Sequence, residues 1–323
     1  MPDPTPPART LVVVLGPTAS GKSDLAVFLA ARLQGEIVNC DSLQLYRHFD
    51  IGTAKPGLEE RAGVPHHLFD ILEPVEVFSA GEYARRAGAA IEEIFARGRL
   101  PLLVGGTGFY LRALLEGLFP GPPRDEDLRQ RLRARAGARG PAWLHRLLAR
   151  LDAESAARIH PNDEPKLIRA IEVCLRARRP MSALFRETES AGWLGGARAV
   201  KIGLDPPRAP LYARINQRAA RMFEAGLLDE VRGILARGVP PDAKPFESQG
   251  YREALAVIQG RMTPAEAVES TRKRSRHYAK RQITWFRREP DVRWFPAFGN
   301  EPETQRAALQ HVSAEAAHPG GTR

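Results

Sequence analysis

Gly16-Pro17-Thr18-Ala19-Ser20-Gly21-Lys22-Ser23 fits the phosphate-binding pattern G-x-x-x-x-G-K-[ST] at every fixed position. Before it, Leu11 to Leu15 is a short apolar run suited to a buried strand. After it, Asp24 to Leu33 reads as a helix with Leu25, Phe28, Leu29 and Leu33 on one face. Strand, loop and helix in that order predict an α/β core with a parallel sheet and flanking helices. In such a loop the glycines permit close backbone approach, the N–H groups and the helix N-terminus face an anion, and Lys22 adds a full positive charge. Ser23 is placed to offer its hydroxyl to a magnesium ion bridging phosphate oxygens.

The chain of 323 residues is long enough for such a core plus a second, smaller module. A formal net charge of +10 favours a polyanionic partner, nucleic acid first, over an acidic protein or a neutral metabolite. Cys40 and Cys174 are the only cysteines, too few for a disulfide framework or a C-x-x-C metal pair. Leu11 to Leu15 is too short for a signal core or a membrane span, so a cytoplasmic protein without membrane attachment is expected.

A second strand, Glu36 to Cys40, delivers Asp41-Ser42-Leu43-Gln44 at its C-terminal end, where a parallel sheet gathers its chemistry. Asp41 suits a reactive carboxylate, a magnesium ligand or a helix N-cap. The adjacent His66 and His67 lack a third ligand cluster, and neighbours on a strand point to opposite faces, which disfavours a metal site. Ser79 with Glu82 signals a helix start, continuing to about Arg97. Leu100 to Val104 is a further strand, ending in Gly105-Gly106-Thr107-Gly108 before a helix through Leu118. Thr107 fits either a ligand contact or a cap. Glycine stands where an ATPase would often carry a magnesium-holding Asp, which weakens an ATPase reading.

From Pro120 the texture becomes Arg-, Ala- and Leu-rich, without strand character until about Ala199. The expected plan is a core of residues 11–119 and 199–299, a helical insert of 120–198, a disordered N-terminus 1–10 and a disordered tail 300–323. In the insert, Leu167, Ile168, Ile171 and Leu175 form an apolar stripe, with Lys166, Arg169 and Arg176 on another face. Past the insert, Arg214, Arg218 and Arg221 recur on one side of a helix, an arrangement that repels itself unless an anion such as diphosphate lies between. Thr271 to Arg288 contains no acidic residue and interleaves Tyr278, Trp285 and Phe286 with cations, as a nucleic-acid face would.

Taken together, GPTASGKS, CDSLQLYR, DIGTAKP from Asp50, PHHLFDIL, LLVGGTGFYLRALLEGL, ARIHPNDEPKLIRAIEV and YAKRQITWFRR resemble the tRNA dimethylallyltransferase family, whose members prenylate N6 of the adenine beside the anticodon. The resemblance spans nearly the whole ordered chain and is of the bacterial type, without an added zinc finger. It implies a P-loop NTPase-like core with an all-helical insert that grips the anticodon stem-loop of tRNA, dimethylallyl diphosphate as donor and Mg2+ as cofactor; a monomer is expected. By position, Asp41 would be the base, Gly16 to Ser23 the diphosphate cradle, Ser23 the metal contact, and Arg218 the support of the leaving group. Asp41, Ser42, Leu43, Gln44, Thr107, Arg129, Pro165, Lys166, Leu167, Ile168, Arg169, Glu247, Ser248, Gln249, Gly250, Tyr251 and Arg252 would touch the RNA. Glu247 and Gln249 depart from the residues more usual there.

Three rivals share parts of this pattern. A P-loop kinase that binds ATP explains the loop but neither the acid-free basic stretch nor the Arg-rich insert. An adenylate isopentenyltransferase should lack the insert. A catalytically dead RNA-binding module does not account for Lys22, Asp41 and Arg218 together.

Overall fold

Leu11 to Leu15 are each 2 % exposed or less, so β1 (Thr10–Leu15) has no solvent face and must lie inside a sheet covered on both sides. In this computed structural model, which describes residues 9–119, 121–140, 142–187, 192 and 196–317, β1 is the fourth of six parallel strands. It is followed by α1 (Lys22–Leu33), β2 (Gly35–Asn39), β3 (His66–His67), α2 (Ala80–Ala96), β4 (Leu100–Val104) and α3 (Gly108–Leu115). Five helices come next: α4 (Glu126–Arg139), α5 (Ala142–Leu151), α6 (Ala153–Arg158), α7 (Glu164–Ala177) and α8 (Met181–Glu187). The sheet resumes with β5 (Arg198–Leu204), then α9 (Arg208–Glu224), α10 (Leu227–Ala236), α11 (Tyr251–Ile258), α12 (Pro264–Phe286), β6 (Val292–Phe295) and α13 (Pro302–Ala317). Strand order is β3-β2-β4-β1-β5-β6, with Val12 opposite Leu102 on one side and Val200 on the other. The C-terminal ends of β1, β2 and β4 therefore lie along one sheet edge, bringing the phosphate loop, Asp41 and Gly105-Gly106 to the same side.

Two compact units result, residues 1–115 with 192–323 and residues 116–191. In the first, Leu25 and Leu29 of α1 pack on Val12, Val14, Ile37 and Leu102, and Ala308 and Val312 of α13 close the same core. The second is all-helical around Leu132, Leu144, Leu148, Leu167 and Ile171. Two buried carboxylates tie its helices. Asp152 accepts from the N–H and Oγ of both Ser155 and Ser182. Glu172 accepts from Arg129, Arg169 and the N–H of Asp125. Burial pushes both carboxyls up, but these bonds outweigh it and hold each down at about 2. None of the described helices is long and apolar enough to cross a membrane.

Several expectations are corrected. Residues 302–317 are not a disordered tail: α13 packs on α1 because Thr304, Ala308 and Val312 recur at helical spacing and are buried. His318 to Gly321 and residues 1–8 lie outside the described residues, while Thr10 already belongs to β1. Helix α1 starts at Lys22, two residues earlier than periodicity suggests, since Lys22 and Ser23 carry no apolar side chain for the periodicity to register. Helix α3 stops at Leu115, before Glu116-Gly117.

Truncating Val312 to Ala removes two buried methyl groups at the α1–α13 contact, and the expected cost is about 2 kcal/mol, read as a lowered thermal midpoint. The Asp152 and Glu172 carboxyls are held below their ordinary values, so their contribution is intact at neutral pH. It is lost as pH falls from about 4.5 toward about 2, which acid unfolding of the parent against Glu172→Gln will show as a flatter profile in the variant.

Candidate active site

The phosphate loop leaves β1 through Gly16 and enters α1 at Gly21, whose φ of 83° is left-handed. A side chain at Gly21 is excluded twice over, because a Cβ there would stand 2.9 Å from the Gly299 nitrogen. The Gly299 N–H donates to the Ser20 carbonyl at 2.9 Å, so the segment after β6 lies directly on the loop. Ala19 is also left-handed, at φ 63°, a strain found where backbone must face a ligand. Lys22 donates to the Pro17 carbonyl at 2.7 Å, and the buried hydroxyl of Ser20 has no protein partner.

Above the loop is a cavity of about 940 Å³, lined by Thr18 to Asp24, Asp41, Leu43, Gln44, residues 50–56, Gly105-Gly106, Arg214, Arg218, Arg221, Tyr278 and Asn300. Arg214, Arg218 and Arg221 all come from one side of α9. Arg218 donates to Thr18 Oγ1 at 3.3 Å and to the Thr53 carbonyl at 3.2 Å, while Arg214 stacks on Phe298 and donates to Asn300 Oδ1 at 2.8 Å. Burial lowers both Lys22, to about 8, and Arg218; the Asp41 charge opposes the fall in each. Lys22, Asp41 and Arg218 thus act electrostatically on one another inside one cavity.

Asp41 is fixed by its backbone surroundings. Its N–H donates to Asn39 Oδ1 at 2.9 Å, its Oδ1 accepts from the Leu43 N–H at 2.9 Å, and the Ser42 N–H donates to Thr107 Oγ1 at 3.0 Å. Thr107 therefore spends its hydroxyl on the Asp41 turn rather than on capping α3. Gln44 donates to the carbonyls of Thr53 and Ala54, holding the wall formed by residues 50–56. Lys55, 4 % exposed at its side chain, anchors that wall to Asp50 at 2.5 Å and Asp70 at 2.6 Å. Neither Lys55 nor Gln282 stood out in the sequence. The glycine pair at 105–106 was the available signal, since a Cβ on Gly106 would fall 2.1 Å from Gln282 Nε2.

Of the expected RNA contacts, several have other duties. Leu167 and Ile168 are core residues of the second unit, Arg129 and Arg169 pair with Glu172, and Lys166 pairs with Asp163; Pro165 is exposed. The face of Lys166, Arg169 and Arg176 is thus ion-paired rather than simply solvated, Arg176 reaching Asp125. Gly250 and Tyr251 are buried, the Tyr251 hydroxyl bonding Glu230 and the Gly52 N–H. Glu247 pairs with Lys244, Ser248 bonds the Pro245 carbonyl, Gln249 lines the cavity and Arg252 is exposed. On α12, Phe286 is core, Tyr278 and Trp285 are half-buried, and Arg272, Arg274 and Arg276 meet Glu269 or Glu253. Lys273, His277, Lys280 and Arg281 remain exposed. His67 bonds Glu36, while His66 lines the cavity with Nδ1 on the Val64 carbonyl.

Residues 44–289 match the family model described as IPP transferase. A tRNA dimethylallyltransferase from Solibacter usitatus is 58 % identical over 94 % of this chain and 98 % of its own length; one from Myxococcus xanthus is 50 % identical over 87 % and 90 %. The full-length tRNA isopentenylpyrophosphate transferase from Bacillus halodurans superposes with a TM-score of 0.70 at 40 % identity, covering 96 % of this chain and 97 % of that one. A eukaryotic dimethylallyltransferase solved while acting on tRNA superposes with a TM-score of 0.82 at 25 % identity, covering 98 % and 82 %.

With its ammonium held at about 8, Lys22 is charged at neutral pH and loses its proton as pH rises through that value. Affinity for inorganic diphosphate, measured by calorimetry from pH 7 to 9.5, will therefore fall more steeply in the parent than in Lys22→Met, by up to about tenfold per unit.

Proposed function

The chain belongs to the tRNA dimethylallyltransferase family, and from that membership we propose how its residues transfer a dimethylallyl group to N6 of the adenine beside the anticodon in tRNA, with dimethylallyl diphosphate as donor. The observation that carries this reading is the convergence of Lys22, Asp41 and Arg218 on one cavity above the phosphate loop. The diphosphate of the donor lies against the loop amides, Lys22 and Arg218. These groups are half-buried and already placed, so they stabilise the charge that grows on the leaving group as the allylic carbon–oxygen bond breaks. Each such donor contributes up to about 3 kcal/mol in a dry site.

As the new nitrogen–carbon bond forms, the exocyclic amine must release a proton, and Asp41 accepts it as general base. The Leu43 N–H on Asp41 Oδ1 fixes the carboxylate's direction. A magnesium ion fits the hard-oxygen character of this corner. The exposed Ser23 hydroxyl would hold it beside the diphosphate oxygens, with the partnerless Ser20 hydroxyl in the same loop, and it would supply further charge neutralisation of the leaving group. The target adenine must leave the anticodon-loop stack, at a cost of a few kcal/mol that phosphate contacts to exposed cations offset.

Prenyl transfer from dimethylallyl diphosphate to an unmodified anticodon stem-loop, with AMP as competing acceptor, tests the reading. Transfer to the stem-loop is expected, falling by about two to four decades in Asp41→Ala. Transfer to AMP alone would overturn it in favour of a nucleotide prenyltransferase.

A further inference from the structure

Gln282 is a polar side chain only 5 % exposed on α12, and both ends of its amide are used. Its Oε1 accepts the Thr18 N–H at 2.8 Å, and its Nε2 donates to the Gly106 carbonyl at 3.0 Å. The amide orientation is forced, because a backbone N–H can only donate and a carbonyl can only accept. An ionised carboxylate could not serve the Gly106 carbonyl, and a thioether, a weak acceptor only, could not serve it either.

The two loops joined in this way belong to opposite halves of the reaction. Thr18 sits in the diphosphate cradle and receives Arg218 on its hydroxyl. Gly106 precedes Thr107, whose hydroxyl holds the Ser42 N–H next to Asp41. An unbroken run of contacts therefore leads from Arg218 through Thr18, Gln282 and the 106–107 turn to Ser42 and Asp41. Gly106 lacks a side chain for the same reason, since a Cβ there would occupy the place of Nε2.

The geometry points to Gln282 as a positioning residue that fixes the distance between the donor's diphosphate and the Asp41 carboxylate, a role that rests on the function proposed above. Gln282 acts through backbone groups of both loops and not on the reacting atoms. Helix α12 also exposes Lys273, Lys280 and Arg281, so an RNA seated on those cations bears on the same rigid element that spaces the two loops.

Gln282→Met keeps the side chain's length, removes the bond to the Gly106 carbonyl and leaves at most a weak sulfur acceptor for the Thr18 N–H. Its kcat for prenyl transfer to the stem-loop is expected to fall about tenfold to a hundredfold, with KM for the stem-loop unchanged. Its affinity for inorganic diphosphate, measured by calorimetry, is expected to weaken as well. Gly106→Ala displaces the Gln282 amide without altering Gln282, and it is expected to reproduce both changes; it decides the matter alone if Gln282→Met does not fold. A lower thermal midpoint with kcat and diphosphate affinity within about twofold of the parent, in either folded variant, overturns the proposal. Diphosphate binding needs no acceptor, so a parent that binds diphosphate but prenylates no stem-loop defeats the proposed function. In that event weaker binding in Gln282→Met still supports the bond to the phosphate loop.

Discussion

Lys22 and Arg218 are two half-buried cations lining one cavity; Lys22 feels the charge of Arg218, Arg218 that of Arg221, and both that of Asp41. Like charges in a desolvated space oppose folding unless something of opposite sign faces them. Asp41 supplies part of that balance in the free protein, and an anion bound in the cavity would supply more. The rest of the first unit can be understood as the framework that keeps this unbalanced arrangement open: a fully buried central strand below it, a left-handed turn at Gly21, and arginine side chains braced on Thr18, Thr53, Phe298 and Asn300.

The second unit solves its electrostatic problem in the opposite way. Its buried carboxylates are fully partnered, Asp152 by serine hydroxyls and N–H groups and Glu172 by two guanidinium groups. An Arg-rich sequence there does not translate directly into cations available for a polyanion. Several of the charges are engaged in ion pairs, Arg129 and Arg176 between helices, even where, as at Arg169 and Arg176, the side chain is also partly exposed.

The phosphate loop, the parallel sheet and the placement of Asp41 were legible because each rests on short-range rules: a loop motif, an apolar run, and the habit of parallel strands to present chemistry at their C-terminal ends. Arg218 was legible from helical spacing with Arg214 and Arg221. Gln282 and the Gly299 cover were not, since their partners Thr18 and Ser20 lie far away in sequence and no local pattern marks such a meeting. Tyr251, Leu167 and Ile168 show the converse limit. Membership of a functional stretch says nothing about which of its side chains face inward, and these three form the support behind exposed neighbours. The helical nature of residues 302–317 was hidden by a mostly polar surface with few buried positions.

The pairing of β1 with β5, and the seat of Gly299 on Ser20, bear on the order in which the protein becomes active during synthesis. The phosphate loop is made before these partners, and its strand acquires one neighbour only when residues 198–204 emerge, and its cover only when residues 296–300 do. Long-range closure of this kind slows folding, and it leaves the nascent chain with an incomplete loop until its distant partners arrive. The turn around Ser20 is thus complete only once Gly299 has joined it, after helices α4 to α8 of the second unit have been made.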